Sequence, residues 1–513
     1  MRRWIRIGAA LFVFFLVALA AAIATRSLWL PERFAVNVPI ASIVGGGETP
    51  DDVPESLLRS LRLPPGFKLT VFASRITNPR FLRVTPEGDL FVSQPRAGNV
   101  LFLSDPKGDG RLKGIRVLEG LDRPHGLALH NGYLYVAEMT AIGRIGLEAT
   151  GRNVATYERV ITGLPGGGNH WTRTIDFGPD GHLYVSVGSS CNVCVEEDSR
   201  RAAILRYDPK TWQGSVFASG LRNSVGFAWR TLTEGSSTRH ELFATDNGRD
   251  LLGNNFPPCE LNRVVENGFY GWPFANGSRV PDPDLGAGRE KEIASSIPPV
   301  HPFPAHNAPL GITFLEAAAT PAPYMGAALV ALHGSWNRTT KDGYKVVSLH
   351  WDAQGTITQR DFLTGFLDGE TVLGRPVDVA QGADGAIYIS DDFAGAIYRV
   401  TWQGEGSAPT TGATASGPAP APSGSRVTQV QDEGAAARGL AVWMENQCDM
   451  CHDPALAGKD PDMPIRVLKD LGARFDVGKM VTYLKAPQPP MPLFEMSDQQ
   501  RLDLSNYVLK RFQ

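Results

Sequence analysis

From Arg80 onward the chain repeats one hydropathy phrase: a short apolar strand, a turn often spelled P-x-G or x-D-G, a second apolar strand, then polar residues. It reads RFLRVTPEGDLFVSQ from Arg80, HGLALHNGYLYVAE from His125, TIDFGPDGHLYVSVG from Thr174 and VGFAWRTLTEGSSTRHELFATDNG from Val225. It returns as LGITFLEAAATPAPYMGAALVALHG from Leu310 and VDVAQGADGAIYISDD from Val377, which makes six copies. The spacing begins near the roughly forty to fifty residues of a four-stranded propeller blade and later stretches by insertion. Val, Ile, Tyr and Phe fill the strand positions and no long segment has a 3.6 period, so the fold is expected to be all-β. A β-sandwich shares the close turn spacing, but six repeats in phase favour a six-bladed β-propeller over residues 55–403. FKLTVFAS, Phe67 to Ser74, is the expected closing strand of the last blade.

The pattern stops at residues 404–430, where Gly, Ser, Ala, Pro and Thr replace almost every core-forming side chain. Such a segment reads as a flexible linker with a mean span of roughly 25 to 30 Å. It leaves residues 431–513 as a second, small domain. At the other end, three arginines precede an apolar run from Ile7 to Ala24 that closes on Ala22-Ile23-Ala24. Residues 1–30 read as an export signal, or as an uncleaved membrane anchor of minimal length, and place the remainder in a periplasm. A formal net charge of −3 and the absence of any basic run exclude a nucleic-acid surface and suit a small neutral partner or substrate.

In a propeller, the segment before each innermost strand and the loop after each second strand emerge on one face beside the central channel. The first phase holds Arg123, His125, Asn169, His170, Arg173, Arg222, Asn223, His306, Asn307 and Arg375. The second holds Gln94, Arg96, Glu138, Ser189, Asp246, Asn247, Trp336, Asn337, Arg338, Asp391 and Asp392. A ring of arginines among carboxamides and histidines fits a ligand with several carboxylates, which guanidinium forks pair bidentately. Asp246, Asp250 and Glu260, with carbonyls of the DNGRDLLGNN loop, offer hard oxygen ligands for calcium, although such loops also occur as plain turns. His170 follows three glycines that would let the backbone approach a bound ring, and its imidazole could take a hydroxyl proton there.

Five cysteines suit an oxidising compartment. Cys191 and Cys194 form a C-x-x-C pair followed by Val195, so it is no haem site; a loop-stiffening disulfide and a redox-active pair are both open readings. Cys259 is left over. In NQCDMCH, by contrast, Cys448 and Cys451 have the spacing that attaches haem c, with His452 placed to ligate iron. Met463, Met480, Met491 and Met496 are available as the second axial ligand. PQPPMPLFEMSDQQRLDLSNYVLKRF resembles the end of small c-type cytochromes, where a Met-Pro turn precedes the last helix, and this implies Met491. Ser497 with Gln500 forms a capping box, and Leu504, Tyr507 and Val508 share one helical face. Residues 431–513 are therefore expected to be a small all-α cytochrome c domain.

The body resembles the pyrroloquinoline quinone (PQQ) dependent sugar dehydrogenases of the soluble aldose and L-sorbosone type, over roughly Leu63 to Trp402. GGNHWTRTIDFGPDGHLYVSVGSSCNVC, GLRNSVGFAW, ELNRVVENGFYGWP, HGSWNR and GRPVDVAQGADGAIYISDD carry the likeness. It implies a six-bladed propeller with PQQ over the channel and Ca2+ polarising it. His170 is then the general base, Arg222, Asn223 and Arg375 lie beside the cofactor, and Asn247, Gly248 and Arg249 offer calcium-binding backbone. Arg338 and Arg173 are further candidate PQQ contacts, and His125 stands where the family has a glutamine. Cys259 replaces an acidic residue before Glu260, itself a Ca2+ candidate. The combined expectation is a periplasmic quinohaemoprotein dehydrogenase with PQQ, Ca2+ and haem c. It would oxidise a sugar or alcohol and pass electrons through the haem to a soluble cytochrome or respiratory-chain component. The alternatives are a calcium-dependent propeller hydrolase or lactonase, and a non-catalytic electron-transfer protein.

Overall fold

The turns of the repeated phrase share one physical cause. In TPEGD, GPDGH and GADGA the glycine takes a left-handed conformation, φ +88° at Gly88, +77° at Gly181 and +80° at Gly385, which a β-carbon disfavours. HNGY turns more tightly, with Asn131 and Gly132 both at positive φ. The computed structural model describes residues 52–105, 112–147, 157–404 and 414–415, and in the C-terminal part 438–439, 442–443, 468, 471, 474–485, 487, 494 and 496–512. Each turn joins the first two strands of an antiparallel blade, and six such blades make a β-propeller.

Blade 1 comprises Leu82–Val84, Leu90–Gln94, Asn99–Ser104 and Lys113–Leu118; blade 2 comprises Leu127–His130, Tyr133–Ala137, Ala141–Gly146 and Glu158–Thr162. Blade 3 runs Ile175–Phe177, Leu183–Val187, Ala203–Tyr207 and Gly214–Ser219, and Gly268–Phe269 adds to its outer edge in parallel. Blade 4 runs Phe227–Glu234, Ser237–Asp246, Cys259–Val264 and His301–Phe303, with residues 265–300 inserted before its last strand. Blade 5 runs Pro309–Phe314, Ala328–Leu332, Lys345–Trp351 and Ile357–Leu363. Blade 6 takes Pro376–Gln381, Ile387–Asp391 and Ala396–Trp402 from the end of the body, and its outer strand, Phe67–Ala73, from the beginning. The closing strand alternates buried and less buried positions and pairs Phe67 with Trp402 through Ala73 with Ile397. The ring is thus shut by backbone hydrogen bonds between distant parts of the chain.

Hydrophobic clusters fill the spaces between adjacent blades: Ile142, Leu183 and Val185 between blades 2 and 3, Leu261, Val330 and Val347 between blades 4 and 5, and Leu69, Val346 and Ile389 between blades 5 and 6. Burying those side chains is the main term holding the ring. Around the axis, polar ties link neighbours. The Ser390 hydroxyl donates to the Arg80 carbonyl, Arg83 to that of Leu127, Gly126 N–H to that of Arg173, Thr174 to that of Val225 and Thr245 to that of Leu310. The segments leading into the first strands are therefore fixed relative to one another.

The chain divides into two compact units, the second built mainly from Thr428–Gln513. Within the second, helices Val477–Lys485 and Asp498–Arg511 bury Met480, Leu484, Leu504, Tyr507 and Val508 with Trp443 and Met496. Ser497 caps the last helix, its hydroxyl accepting from Gln500 N–H at 3.1 Å while Gln500 Oε1 accepts from Ser497 N–H at 2.9 Å. Gly439 lies directly on the Asp503 carbonyl, where a β-carbon would clash, so these two segments meet at backbone distance. Residues 1–30, most of 404–430, and Cys448, Cys451, His452 and Met491 lie outside the described residues. Among the described residues no helix is long and apolar enough to cross a membrane.

Candidate active site

His170 enters on a loop whose shape is set by glycines and two arginines. Gly167 and Gly168 have φ of +73° and +75°. A β-carbon at Gly168 would lie 2.5 Å from the Ser190 carbonyl oxygen, so protein backbone fills the space expected for a ligand there, while Gly167 faces open space. Arg173 donates to the carbonyls of His170, Thr172 and Pro165, and Arg201 to those of Gly166, Gly167 and Gly188. Arg173 was expected at the cofactor; it is fully buried and its guanidinium braces this loop instead.

The imidazole of His170 has its Nδ1 2.9 Å from both the carbonyl and the hydroxyl oxygen of Ser189. A carbonyl only accepts, so Nδ1 carries the proton and Nε2 keeps its lone pair. Gly188 leaves room for the ring: a β-carbon there would come within 2.6 Å of His170 Cβ and 2.7 Å of Asn223 Oδ1. Burial, then the positive charge of Arg222, pulls the His170 pKa down to about 3, so the base is neutral across the ordinary pH range.

Arg222 and Asn223 follow blade 3's outer strand, and their backbone N–H groups donate to Asp246, at 2.9 and 2.6 Å. The Arg222 guanidinium is fully engaged: Nε with Asn192 O at 2.9 Å, Nη1 with the carbonyls of Asn247 and Gly248 at 3.1 and 3.0 Å, and Nη2 with Asn192 Oδ1 at 2.9 Å and Asp250 at 3.0 Å. Burial works to raise the Asp250 pKa, but bonding from His306 and the charges around it, Arg222 first, hold it below the usual range. His170, through Ser189, and Arg222, Asn223, Asn247 and Gly248 thus belong to one bonded cluster; repeat phase had singled out the first four, and Gly248 came from the family resemblance.

Behind the cluster lies a small cavity, about 10 Å³, bordered by Asp246, Asn247, Gly248, Arg249, Pro257, Pro258 and Glu260. Burial pushes Asp246 up to about 7 and, with Asp246 adding repulsion, Glu260 up to about 8. Glu260 accepts from Asn262 Nδ2 and Gly277 N–H, both at 3.0 Å, while Asn247 Oδ1 is buried with no hydrogen-bond partner among the described residues. Two repelling buried carboxylates and an orphaned amide oxygen form the hard donor set calcium takes, so these residues fit the ion. Arg249 contributes no side chain to it, since its guanidinium is held by Asp282 at 2.7 and 2.8 Å and by Asp284 at 2.8 Å.

The other expected contacts fall elsewhere. Arg375 belongs to a cluster around the buried Asp392, which also takes Arg80 at 2.7 Å and His333 at 3.1 Å. Arg338 donates to the carbonyls of Asn254 at 2.5 Å and Ala305 at 3.2 Å. His125 is fully buried against Phe81 and Trp171, with Nδ1 3.3 Å from the Arg173 carbonyl, so it is not presented to solvent as a free cofactor contact. Its Nε2 and both amide atoms of the buried Asn307 have no hydrogen-bond partner among the described residues. Cys191 and Cys194 are joined in a disulfide. Asn192 between them was missed by the repeat phase, because it sits in a loop excursion; its only sequence signal was its place inside C-x-x-C.

A family profile described as TrAA12-like matches residues 61–263 and 289–403. An uncharacterized protein of Borreliella burgdorferi is 30% identical over 366 residues, 68% of this chain and 93% of that protein. A pyrroloquinoline quinone-dependent pyranose dehydrogenase of Coprinopsis cinerea is 27% identical over 402 residues, 65% of this chain but only 54% of the relative's length. The solved PQQ domain of a Coprinopsis cinerea pyranose dehydrogenase superposes with a TM-score of 0.55 at 22% identity, covering 70% of this chain and 99% of that one, and shares its fold.

Proposed function

The chain belongs to the TrAA12-like family, and on that premise we propose that it is a PQQ-dependent dehydrogenase of sugars or related alcohols. The observation that carries this reading is His170, neutral and fixed by Ser189 through Nδ1 so that Nε2 is the basic atom. It removes the proton of a substrate hydroxyl, or of a sugar's anomeric hydroxyl, as hydride leaves the same carbon. PQQ, when bound, supplies the two-electron acceptor. Calcium, if bound, would supply Lewis acidity. Asp246, Glu260 and the Asn247 and Gly248 carbonyls are the residues that would hold calcium; Asn223, whose side chain lies with His170 against Gly188, is the residue of this cluster that would meet the quinone. Each carbonyl that now accepts from Arg222 has a second lone pair for a cation.

The tail is read as a cytochrome c domain that takes electrons singly. The capped terminal helix and its close crossing at Gly439 support a compact helical unit. Cys448, Cys451, His452 and Met491 carry the haem in this reading, and residues 1–30 direct the chain to the periplasm, where haem c attachment occurs. A soluble cytochrome or respiratory-chain component then accepts the electrons. The test is reconstitution: with PQQ and Ca2+ together, adding an aldose should reduce the haem, seen in its visible absorbance. Haem that stays oxidised across a panel of sugars and alcohols, while Ca2+ alone supports lactone hydrolysis, would replace this reading with the hydrolase.

A further inference from the structure

The C-x-x-C loop does more than close on itself. Asn192, bracketed by the Cys191–Cys194 disulfide, makes four hydrogen bonds behind the proposed base. Its Oδ1 accepts from Arg222 Nη2 at 2.9 Å and from the Asp250 N–H at 2.8 Å; its Nδ2 donates to the Asp250 carbonyl at 3.1 Å; its own carbonyl accepts from Arg222 Nε at 2.9 Å. The same loop reaches the base by a second route, since the Ser189 hydroxyl that touches His170 Nδ1 donates to the Cys191 carbonyl at 2.7 Å. Glu196 pins the loop's base, accepting from Ser190 N–H at 2.6 Å and from its hydroxyl at 2.8 Å.

We propose that Asn192 is a positioning residue, clamped by the Cys191–Cys194 disulfide, that fixes Arg222 and the Asp250 backbone behind His170. The inference rests on the dehydrogenase reading for its catalytic consequence, and on geometry alone for the clamp. Only a carboxamide meets the site fully, because two donors converge on one of its terminal atoms and an acceptor faces the other. Aspartate keeps both accepting bonds to Oδ1; leucine keeps neither. The disulfide limits the loop to conformations that hold the Asn192 backbone carbonyl under Arg222.

The clamp is read in the apo protein by hydrogen exchange at the Asp250 amide, which needs neither cofactor nor turnover. Asn192→Leu should speed that exchange, Asn192→Asp should restore protection, and Cys191→Ser/Cys194→Ser should resemble Asn192→Leu. The double serine variant replaces chemical reduction, which would also reduce a haem. In the PQQ- and Ca2+-loaded protein, Asn192→Leu should lower kcat about 10- to 100-fold, as misplacement of reacting groups does, with KM for the sugar within about two-fold and kcat regained in Asn192→Asp. Thermal unfolding of each variant separates this from loss of fold. Unchanged exchange in Asn192→Leu overturns the clamp, and faster exchange with unchanged kcat, or no recovery in Asn192→Asp, overturns the positioning role. A wild-type protein inactive on every sugar would remove the dehydrogenase reading and its kinetic arm, leaving the clamp to stand or fall by exchange.

Discussion

The proton inventory of the site turns on three residues. Because burial and then Arg222 bring His170 down to about 3, the acid limb of kcat/KM should fall near that value and not near 6.5, where free histidine titrates. His170→Asn should cut turnover by at least about 100-fold, the scale of general-base loss, with PQQ affinity measured by absorbance titration little changed. A limb at 6 or above would mean that the ring is solvated and is not the atom described. Asp246 and Glu260 act in the opposite sense. Their folded pKa values of about 7 and 8 exceed the unfolded ones, so their neutral forms favour the folded state at low pH, and that contribution is lost as pH rises from about 4, where the unfolded carboxyls ionise, up to 7 to 8. The metal-free protein should therefore lose melting temperature across that window. Calcium should restore it by pairing both anions and should release protons on binding, and Glu260→Gln should abolish most of the calcium-dependent gain; titration calorimetry in two buffers, with melting curves, checks this.

At the scale of elements, the ring depends on the strand that comes from its far end. Leu69 is 1% exposed and sits in the cluster shared with Val346 and Ile389. Leu69→Ala should cost about 2 to 5 kcal/mol, the range for emptying such a site, measured as a shift in urea midpoint with unchanged slope. A cost near zero would show that the strand is a passive edge. This strand was readable beforehand because FKLTVFA alternates apolar and polar positions and the last repeat lacks a fourth strand of its own. The hairpins were readable because their turns need glycine at a fixed offset. Blade 4 was harder: residues 265–300 separate its third and fourth strands, and one short piece of that insertion, Gly268–Phe269, extends blade 3. Edge pairing of two residues leaves no periodicity to read.

At the scale of the whole molecule, a propeller unit and a smaller helical unit are joined in one chain. The proposed division of labour is testable by separating it. Cys448→Ala/Cys451→Ala should give a protein without covalent haem that still oxidises sugar with an artificial dye acceptor. His170→Asn should give the converse, haem attached but not reduced by sugar. Dye-linked oxidation lost together with the haem would tie the two units more closely than this reading allows. By itself the sequence determined the blade count, the turns, the closing strand and the candidate base, because each rests on local patterning or on a repeat whose phase maps onto one face of the ring. Only the tertiary structure decided what each arginine does. Arg173 and Arg222 look alike as letters, yet the first braces a loop of carbonyls and the second joins Asn192, Asn247, Gly248 and Asp250. The reason is physical: a guanidinium has five donors and a long, turning stem, so its role is set by which acceptors the folded chain brings within reach, and those come from loops far apart in sequence.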